Sequence, residues 1–175
     1  SAGGAIALRL AELRPVPHVI GLNAAVSGFS GVAGVLFPLM AKALSALPFV
    51  ATMFTASATR PGSVERLIAG TGSDLPSDDL RFYRRLVSDR DHVAGTLAMM
   101  AQWSLDPLLA RLPEMQTPVT LITGDRDHTV PPRVSADLAA RMPHATHVSL
   151  PGLGHLAHEE DAPRVETAIR AALAP

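Results

Sequence analysis

The stretch PVTLITGDRDHTVPP (118–132) decides the fold class. Its apolar first half, PVTLITG (118–124), is followed at once by acidic residues and then by two prolines. A short apolar run bounded by turn-forming residues is typical of a strand buried on both faces of a parallel sheet. The loop after such a strand lies at the carboxyl end of the sheet, where functional groups collect. We therefore expect this loop to supply a functional carboxylate.

Two further apolar runs have the same character, HVIGLNAAV (18–26) and THVSLPG (146–152). They alternate with segments of helical periodicity at residues 2–14, 133–142 and 162–174. Alternating strands and helices predict an α/β fold with a parallel sheet and helices over its faces.

The first helical segment carries apolar residues at helical spacing. Ile6, Leu10 and Leu13 share one side, and Arg9 and Glu12 lie on another. The pattern predicts an amphipathic helix.

Between these parts, residues 27–111 change in character. They are rich in Ala, Leu and Met and are interrupted by the turn-forming stretches RPGS, GTGSDLPSDD and LDP. We interpret them as a helical cap inserted into the sheet domain. The predicted organisation is therefore core at 1–26, cap at 27–111 and core again at 112–175.

Composition excludes several classes of function. The chain has 175 residues, of which 47% are apolar and 18% charged, and its formal net charge of -1 gives no electrostatic basis for a nucleic-acid partner. The absence of cysteine excludes disulfides, thiolate metal sites and a cysteine nucleophile. The seven histidines lack zinc-site spacing. We expect neither a metal nor a cofactor.

Residues 15–41 contain no Asp, Glu, Lys or Arg. A run of this length raises the question of a membrane span. Several prolines, several glycines and Asn23 argue against one, because they would break the helix and leave polar groups unpaired in lipid. We expect a cytoplasmic protein, with peripheral membrane contact left open.

The opening SAGG (1–4) matches the second half of the strand-to-helix turn GxSxG that exposes a nucleophilic serine. In that interpretation Ser1 supplies the attacking oxygen, and the backbone N–H of Ala2 donates to the oxyanion. The alternative is a glycine-rich helix entry without a catalytic role.

Two loops offer partners for Ser1. Asp127, the third residue after Gly124, is placed to orient a histidine, whereas we expect Asp125 to form a turn by capping its own backbone. In LPGLGHLAHEE (150–160), His155 follows a Gly-x-Gly turn and could take a proton from Ser1. Ordinary turn chemistry and a solvated loop histidine are the alternatives.

Taken together, the three candidates form an ordered set. Ser1, Asp127 and His155 follow the order serine, acid, histidine, each in the context of a predicted strand. This is the chain order of the triad in α/β-hydrolases.

On these motifs the chain resembles the C-terminal two-thirds of an α/β-hydrolase. Within that superfamily it is similar to the magnesium-chelatase accessory hydrolases of bacteriochlorophyll biosynthesis in photosynthetic bacteria. The resemblance implies a role in or beside magnesium insertion into protoporphyrin, with magnesium chelatase as a partner. The segments that carry it are VIGLNAAV (19–26), LFPLMAKAL (36–44), LIAGTGSDL (67–75), FYRRLVSDRDHVAGTLAMMAQWSLDPLL (82–109) and LPGLGHLAHEE (150–160).

The superfamily has several strands before its serine, including the loop that donates the second oxyanion N–H. We therefore expect an N-terminal part of the same protein to be a partner of this chain. In the alternative, Ser1 is a true N-terminus whose α-amine acts as its own base. Asp127 and His155 would then have no role, which favours the first interpretation.

Met99, Met100 and Trp103 lie near one another in a predicted helix of the cap. Thioether and indole groups suit a large, flat apolar ligand such as a porphyrin, although packing within the cap also explains them. Three functions follow as hypotheses: a serine hydrolase of an apolar ester, thioester or amide; a non-catalytic porphyrin-binding or chelatase-assisting protein; and a generic carboxylesterase.

Overall fold

The computed structural model describes residues 1–27 and 49–174. Within them, strands β1 (Val19–Leu22), β2 (Val119–Gly124) and β3 (Ala145–Leu150) form a parallel sheet in that order. The predicted α/β class with a parallel sheet is therefore confirmed. The segment LFPLMAKAL lies outside the described residues, as does part of the predicted cap.

Helices connect and flank the strands. The helices predicted at 2–14, 133–142 and 162–174 are confirmed, although the second ends earlier than predicted. The bounds are α1 (Ala2–Leu13), α2 (Val50–Ala58), α3 (Ser63–Gly70), α4 (Leu80–Ser88), α5 (Arg90–Ala101), α6 (Asp106–Leu109), a 3-10 turn (Leu112–Glu114), α7 (Pro132–Ala139), α8 (Ala157–Glu160) and α9 (Ala162–Leu173).

The first strand is shorter than the apolar run that predicted it. The run extends over 18–26, but β1 ends at Leu22 because Asn23 adopts a left-handed backbone with φ of 43°. Asparagine tolerates this conformation better than most residues with a side chain. The chain therefore leaves the sheet at Asn23 and continues as a loop.

The chain divides into two compact units. The first, which we call the sheet unit, comprises Ser1–Ser27, Ala69–Asp74 and Leu105–Pro175. The second, the helical unit, comprises Gly28–Ile68 and Leu75–Ser104. Residues 69–74 and 105–111, inside the predicted cap, thus group with the sheet. The division into cap and core domains stays a prediction.

The core of the sheet unit explains why β2 reads as a continuous apolar run, since all six of its residues are buried. Ile122 belongs to a buried cluster with Leu150 and Val165, and Ala168 and Ile169 pack against it. Helix α9 thereby covers one face of the sheet.

The side of helix α1 that packs against the sheet differs from the side that the spacing of its large apolar residues predicted. Ala5 and Leu8 are 2% and 0% exposed, whereas Ile6, Leu10 and Leu13 are between 49% and 63% exposed. The helix carries apolar residues on two sides, and the side with Ala5 and Leu8 is the one that is buried where the helix contacts β1. The helix is confirmed, but the predicted apolar stripe of Ile6, Leu10 and Leu13 is not the side that packs against the sheet.

In the helical unit, α2 packs against α4 and α5. The Asp89 carboxylate caps α5 by accepting hydrogen bonds from the backbone N–H groups of Asp91 and His92. Within the described residues, no helix is long and apolar enough to cross a membrane.

An ion-pair cluster ties α1 to the segment before β2. Glu12 accepts hydrogen bonds from Arg111, at 2.9 and 3.1 Å, and from Arg9, at 2.6 Å. The hydrogen bond from Arg111 is the main cause that lowers the pKa of Glu12 below its ordinary value of 4.5. The stabilisation is therefore complete above pH 4.5 and is lost as the pH falls through the lower folded-state pKa.

We predict that Glu12→Gln lowers the free energy of unfolding by about 0.5–1 kcal/mol near neutral pH, because the pairs are partly exposed to water. The deficit should shrink as the pH falls below 4.5, the ordinary pKa of the carboxyl group. Urea unfolding across this pH range measures it. Glu114→Gln is the matched control, since Glu114 makes no ion pair with any described residue. An equal deficit in both variants at every pH would contradict the prediction.

Candidate functional site

The loop after β2 fixes Asp127 by hydrogen bonds to its own backbone. One carboxylate oxygen, Oδ1, accepts from the N–H groups of Thr129 and Val130, both at 2.8 Å. The side chain is completely buried. Both bonds fix the plane of the carboxylate and leave Oδ2 to a partner from another loop.

That partner is His155. Its Nδ1 lies 2.8 Å from Oδ2 of Asp127, and its side chain is 10% exposed. Because an ionised carboxylate can only accept, Nδ1 carries the proton in the pair with neutral histidine. The other ring nitrogen, Nε2, is then left as a base.

The backbone of Ser1 is bound at the carboxyl end of β1. Its nitrogen donates to the Leu22 carbonyl at 3.3 Å, and its carbonyl accepts from Ala25 N–H at 3.1 Å. Because β1, β2 and β3 run parallel, the loops that carry Asp127 and His155 leave the sheet at this same edge. The structure thus places Ser1 at the same sheet edge as Asp127 and His155.

Helix α1 begins directly after Ser1. The Ser1 hydroxyl forms no capping hydrogen bond to the helix. Ala2 is the first helical residue, so its N–H lies among the groups that have no acceptor within the helix. Such N–H groups suit a developing negative charge.

The prediction that Asp125 caps its own backbone is wrong. Its Oδ1 accepts a hydrogen bond from Gly152 N–H at 2.6 Å, across to the loop after β3. Strands β2 and β3 pair in parallel, with Gly124 opposite Leu150, so the loops that follow them leave the sheet side by side. Asp127 is the residue that closes a local turn instead.

We call residues 151–156, which carry His155, the histidine loop. Glu160 accepts from Gly154 N–H at 2.8 Å, and the Ser73 hydroxyl accepts from Leu156 N–H at 2.8 Å. The Thr71 carbonyl accepts from His155 N–H at 3.3 Å. Each of three successive backbone N–H groups therefore has its own acceptor, and the loop is held in one conformation.

Residues 71–73, which we call the clamp segment, were not identified from the sequence because they lie within the predicted cap. The Thr71 carbonyl also accepts from His128 N–H at 3.1 Å, so the segment binds both the acid loop and the histidine loop. Gly72 has φ of 83°, and a methyl group there would overlap the Arg126 carbonyl. A methyl group on Gly154 would overlap the backbone of Gly72. In the sequence, the two glycines of GTGS (70–73) were the signal that could have identified the clamp segment.

Asn23 is the second residue that sequence reasoning missed. Its side chain is 2% exposed and hydrogen-bonds Gly124, Gly154 and His155. A single asparagine inside the apolar run VIGLNAAV was the available signal, since a buried amide needs partners.

The predicted substrate-binding residues belong to the helical unit. Met99 and Met100 lie near the end of α5, each 43% exposed, and half-buried Trp103 follows it. Their role in binding stays a prediction. Among the residues that the structure describes, no group of three or more His, Asp or Glu side chains could hold a metal ion.

Comparison with known proteins agrees with this fold. The model of the alpha/beta hydrolase fold matches residues 1–162. The chain belongs to this family. It is 48% identical, over 159 residues, to the magnesium-chelatase 30 kDa subunit of Rhodobacter capsulatus. The match covers 91% of this chain and 56% of that protein.

Solved structures show the same fold. MenH from S. aureus aligns with a TM-score of 0.72 at 20% identity, covering 97% of this chain and 64% of MenH. An esterase from Exiguobacterium antarcticum aligns with a TM-score of 0.69 at 15% identity, covering 98% of this chain and 63% of the esterase. The α/β-hydrolase fold and the predicted resemblance are confirmed, and the chain spans less than two thirds of each of these relatives.

We predict that Gly72→Ala destabilises the protein by more than about 3 kcal/mol, because the left-handed backbone and the overlap with Arg126 act together. Thermal and urea unfolding measure the loss. The matched control is Gly95→Ala within α5, where a methyl group meets nothing within 4 Å. It should be neutral or stabilise by up to about 1 kcal/mol. Equal stability of the two variants would contradict the packing described for the clamp segment.

Proposed function

We propose that the protein is a serine hydrolase in which Ser1 is the nucleophile, His155 the general base and Asp127 the acid that orients it. The observation that carries this proposal is the 2.8 Å contact between His155 Nδ1 and the buried Asp127 carboxylate. A buried carboxylate that is fixed by two backbone N–H groups and directed at Nδ1 selects the tautomer with a basic Nε2. Such tuning of a histidine is typical of acyl-transfer enzymes.

In this mechanism His155 Nε2 accepts the Ser1 hydroxyl proton while the Ser1 oxygen attacks the substrate carbonyl. The Ala2 N–H donates to the oxyanion that forms. The tetrahedral intermediate collapses when the imidazolium returns its proton to the departing alcohol, thiol or amine. A water molecule, deprotonated by His155, then attacks the acyl-serine ester, and the imidazolium returns that proton to the departing Ser1 oxygen as the acid is released.

The substrate in this proposal is an ester, thioester or amide of an apolar compound. Met99, Met100 and Trp103 supply the contact surface, because thioether and indole groups adapt to flat ring faces. Membership of the alpha/beta hydrolase family supports the reaction class. The relatives extend beyond the part that this chain matches, so the catalytic unit we propose includes an additional N-terminal part that donates the second oxyanion N–H.

A second candidate function is favoured by the relative from Rhodobacter capsulatus, named a magnesium-chelatase 30 kDa subunit. At 48% identity, the protein would act in magnesium insertion during bacteriochlorophyll synthesis, beside the chelatase. The same site would then bind a porphyrin, with hydrolysis incidental or absent. A generic carboxylesterase has no observation of this kind in its favour.

We predict that a fluorophosphonate probe adds one equivalent to the full-length protein and that Ser1→Ala abolishes the addition, because the probe reacts with an activated serine. Intact-mass spectrometry with peptide mapping measures it. Ser77→Ala, which removes an exposed hydroxyl from a turn, should label like the wild type. Labelling that persists in Ser1→Ala, or that is absent from the folded wild type, contradicts the hydrolase.

The same variant separates the two candidate functions in cells that make bacteriochlorophyll. If hydrolysis is the function, Ser1→Ala lowers pigment accumulation as much as deletion of the gene. If the protein only binds a porphyrin or the chelatase, Ser1→Ala retains pigment synthesis while deletion does not.

We predict that protoporphyrin quenches the fluorescence of Trp103, which is the only tryptophan of this chain. Met99→Ala and Met100→Ala together should weaken binding about tenfold, because each removes a flexible apolar contact. Titration by fluorescence measures the affinity. Met53→Ala, which changes an exposed methionine on α2, is the matched control. Quenching that is unchanged in the double variant would remove these residues from the binding surface.

A further inference from the structure

We infer that Asn23 is a positioning residue that holds His155 in register with both Asp127 and Ser1. The inference rests on the proposed hydrolase. Asn23 touches neither the imidazole nor the serine hydroxyl through any contact seen here, and it would act through the three backbone segments that carry the site.

The side-chain amide bridges two of these segments. Its Nδ2 donates to the His155 carbonyl at 2.6 Å and to the Gly154 carbonyl at 3.1 Å. Its Oδ1 accepts from Gly124 N–H at 2.9 Å, at the end of β2. Carbonyls can only accept and an N–H can only donate, so the amide has one orientation that satisfies all three partners. The histidine loop is thereby bound to the strand that leads into Asp127.

The backbone around Asn23 forms the third link. Asn23 N–H donates to the Ile122 carbonyl at 2.8 Å, which continues the pairing of β1 with β2 by one residue. On either side of it, Leu22 accepts from Ser1 N and Ala25 donates to the Ser1 carbonyl. Ser1 and the carbonyl of His155 are therefore both tied to the same four-residue segment, residues 22–25.

The left-handed backbone conformation at Asn23 contributes to this positioning role. With φ of 43°, the chain leaves β1 while the amide stays 2% exposed and directed at the neighbouring loops. Most residues with a side chain disfavour this conformation, and asparagine tolerates it while also supplying a donor and an acceptor. Glycine would tolerate the backbone but would supply neither.

Other contacts of the histidine loop do not reach Ser1. Asp125 binds Gly152, Glu160 binds Gly154 and Ser73 binds Leu156, each through one backbone N–H. Among the described side chains, Asn23 alone combines contacts to the histidine loop and to β2 with a place in the turn that binds Ser1. Its loss should therefore change the distance between His155 and Ser1, whereas the loss of Ser73 should loosen the loop elsewhere.

The test compares Asn23→Gly with the matched control Ser73→Ala in the full-length protein. Burst kinetics with p-nitrophenyl acetate give two quantities: the amplitude counts competent sites, and the rate reports acylation at each of them. We expect Asn23→Gly to lower the acylation rate per site about 10- to 100-fold, since displacement of a catalytic group by about 1 Å has effects of this size. The half-saturating ester concentration should change little, and Ser73→Ala should retain at least about a third of the wild-type rate, because its loop contact lies beyond His155.

A purely structural role gives a different result. In that case Asn23→Gly reduces the burst amplitude and the unfolding temperature, but the acylation rate per competent site equals that of the wild type. This outcome, or an equal loss of rate in Ser73→Ala, overturns the inference.

A second readout does not depend on hydrolysis. The proton on Nδ1 of His155, shared with Asp127, should give a low-field NMR signal in the wild type. We expect Asn23→Gly to shift or broaden this signal, and Ser73→Ala to leave it in place. If the wild type shows neither a burst nor fluorophosphonate labelling, the hydrolase fails. A signal shifted only in Asn23→Gly then still shows that Asn23 positions His155, and a signal unchanged in that variant overturns this as well.

Discussion

The hydrogen-bonded carboxylate of Asp127 is the constraint on which the rest of the site depends. A carboxylate removed from water is costly unless its oxygens find donors, and here two backbone N–H groups and the His155 ring supply them. The turn at 127–130 must therefore close on Oδ1, and the histidine loop must bring an imidazole to Oδ2. One side chain therefore both closes a local turn and joins two loops that lie 28 residues apart along the chain.

Around this pair, the loops are joined by side chains that pair with backbone groups. Asp125 and Glu160 accept from N–H groups of the histidine loop, and Asn23 donates to two of its carbonyls. Buried backbone N–H and C=O groups of a loop need such partners, because a loop lacks the regular hydrogen bonds of a helix or a sheet. In this protein the partners are Asn23 directly after β1, Asp125 directly after β2 and Glu160 in α8, so the conformation of the histidine loop depends on the carboxyl edge of the sheet.

The same arrangement accommodates both candidate functions. A fixed Asp127–His155 pair at a sheet edge has the features of an acyl-transfer site, and the chain belongs to the alpha/beta hydrolase family. The 48% identity to a magnesium-chelatase 30 kDa subunit places the chain close to a protein named for its assembly. Function on a shared fold is decided by the site, and the proposed hydrolase differs from the proposed binding protein in its need for the Ser1 hydroxyl.

The sequence by itself determined the α/β class and the positions of the strands and flanking helices, and it singled out Asp127 and His155 as candidate partners, which the structure brings into contact. The reason is that burial on both faces of a parallel sheet leaves continuous apolar runs with polar residues at their ends. The tertiary structure decided the contacts between segments that are distant along the chain. It directed Asp125 to Gly152, selected the side of α1 that packs, brought the clamp segment between two loops, and gave Asn23 its three partners. These depend on which segments meet in space, and a single asparagine or a pair of glycines carries no periodic signal that would reveal its partner.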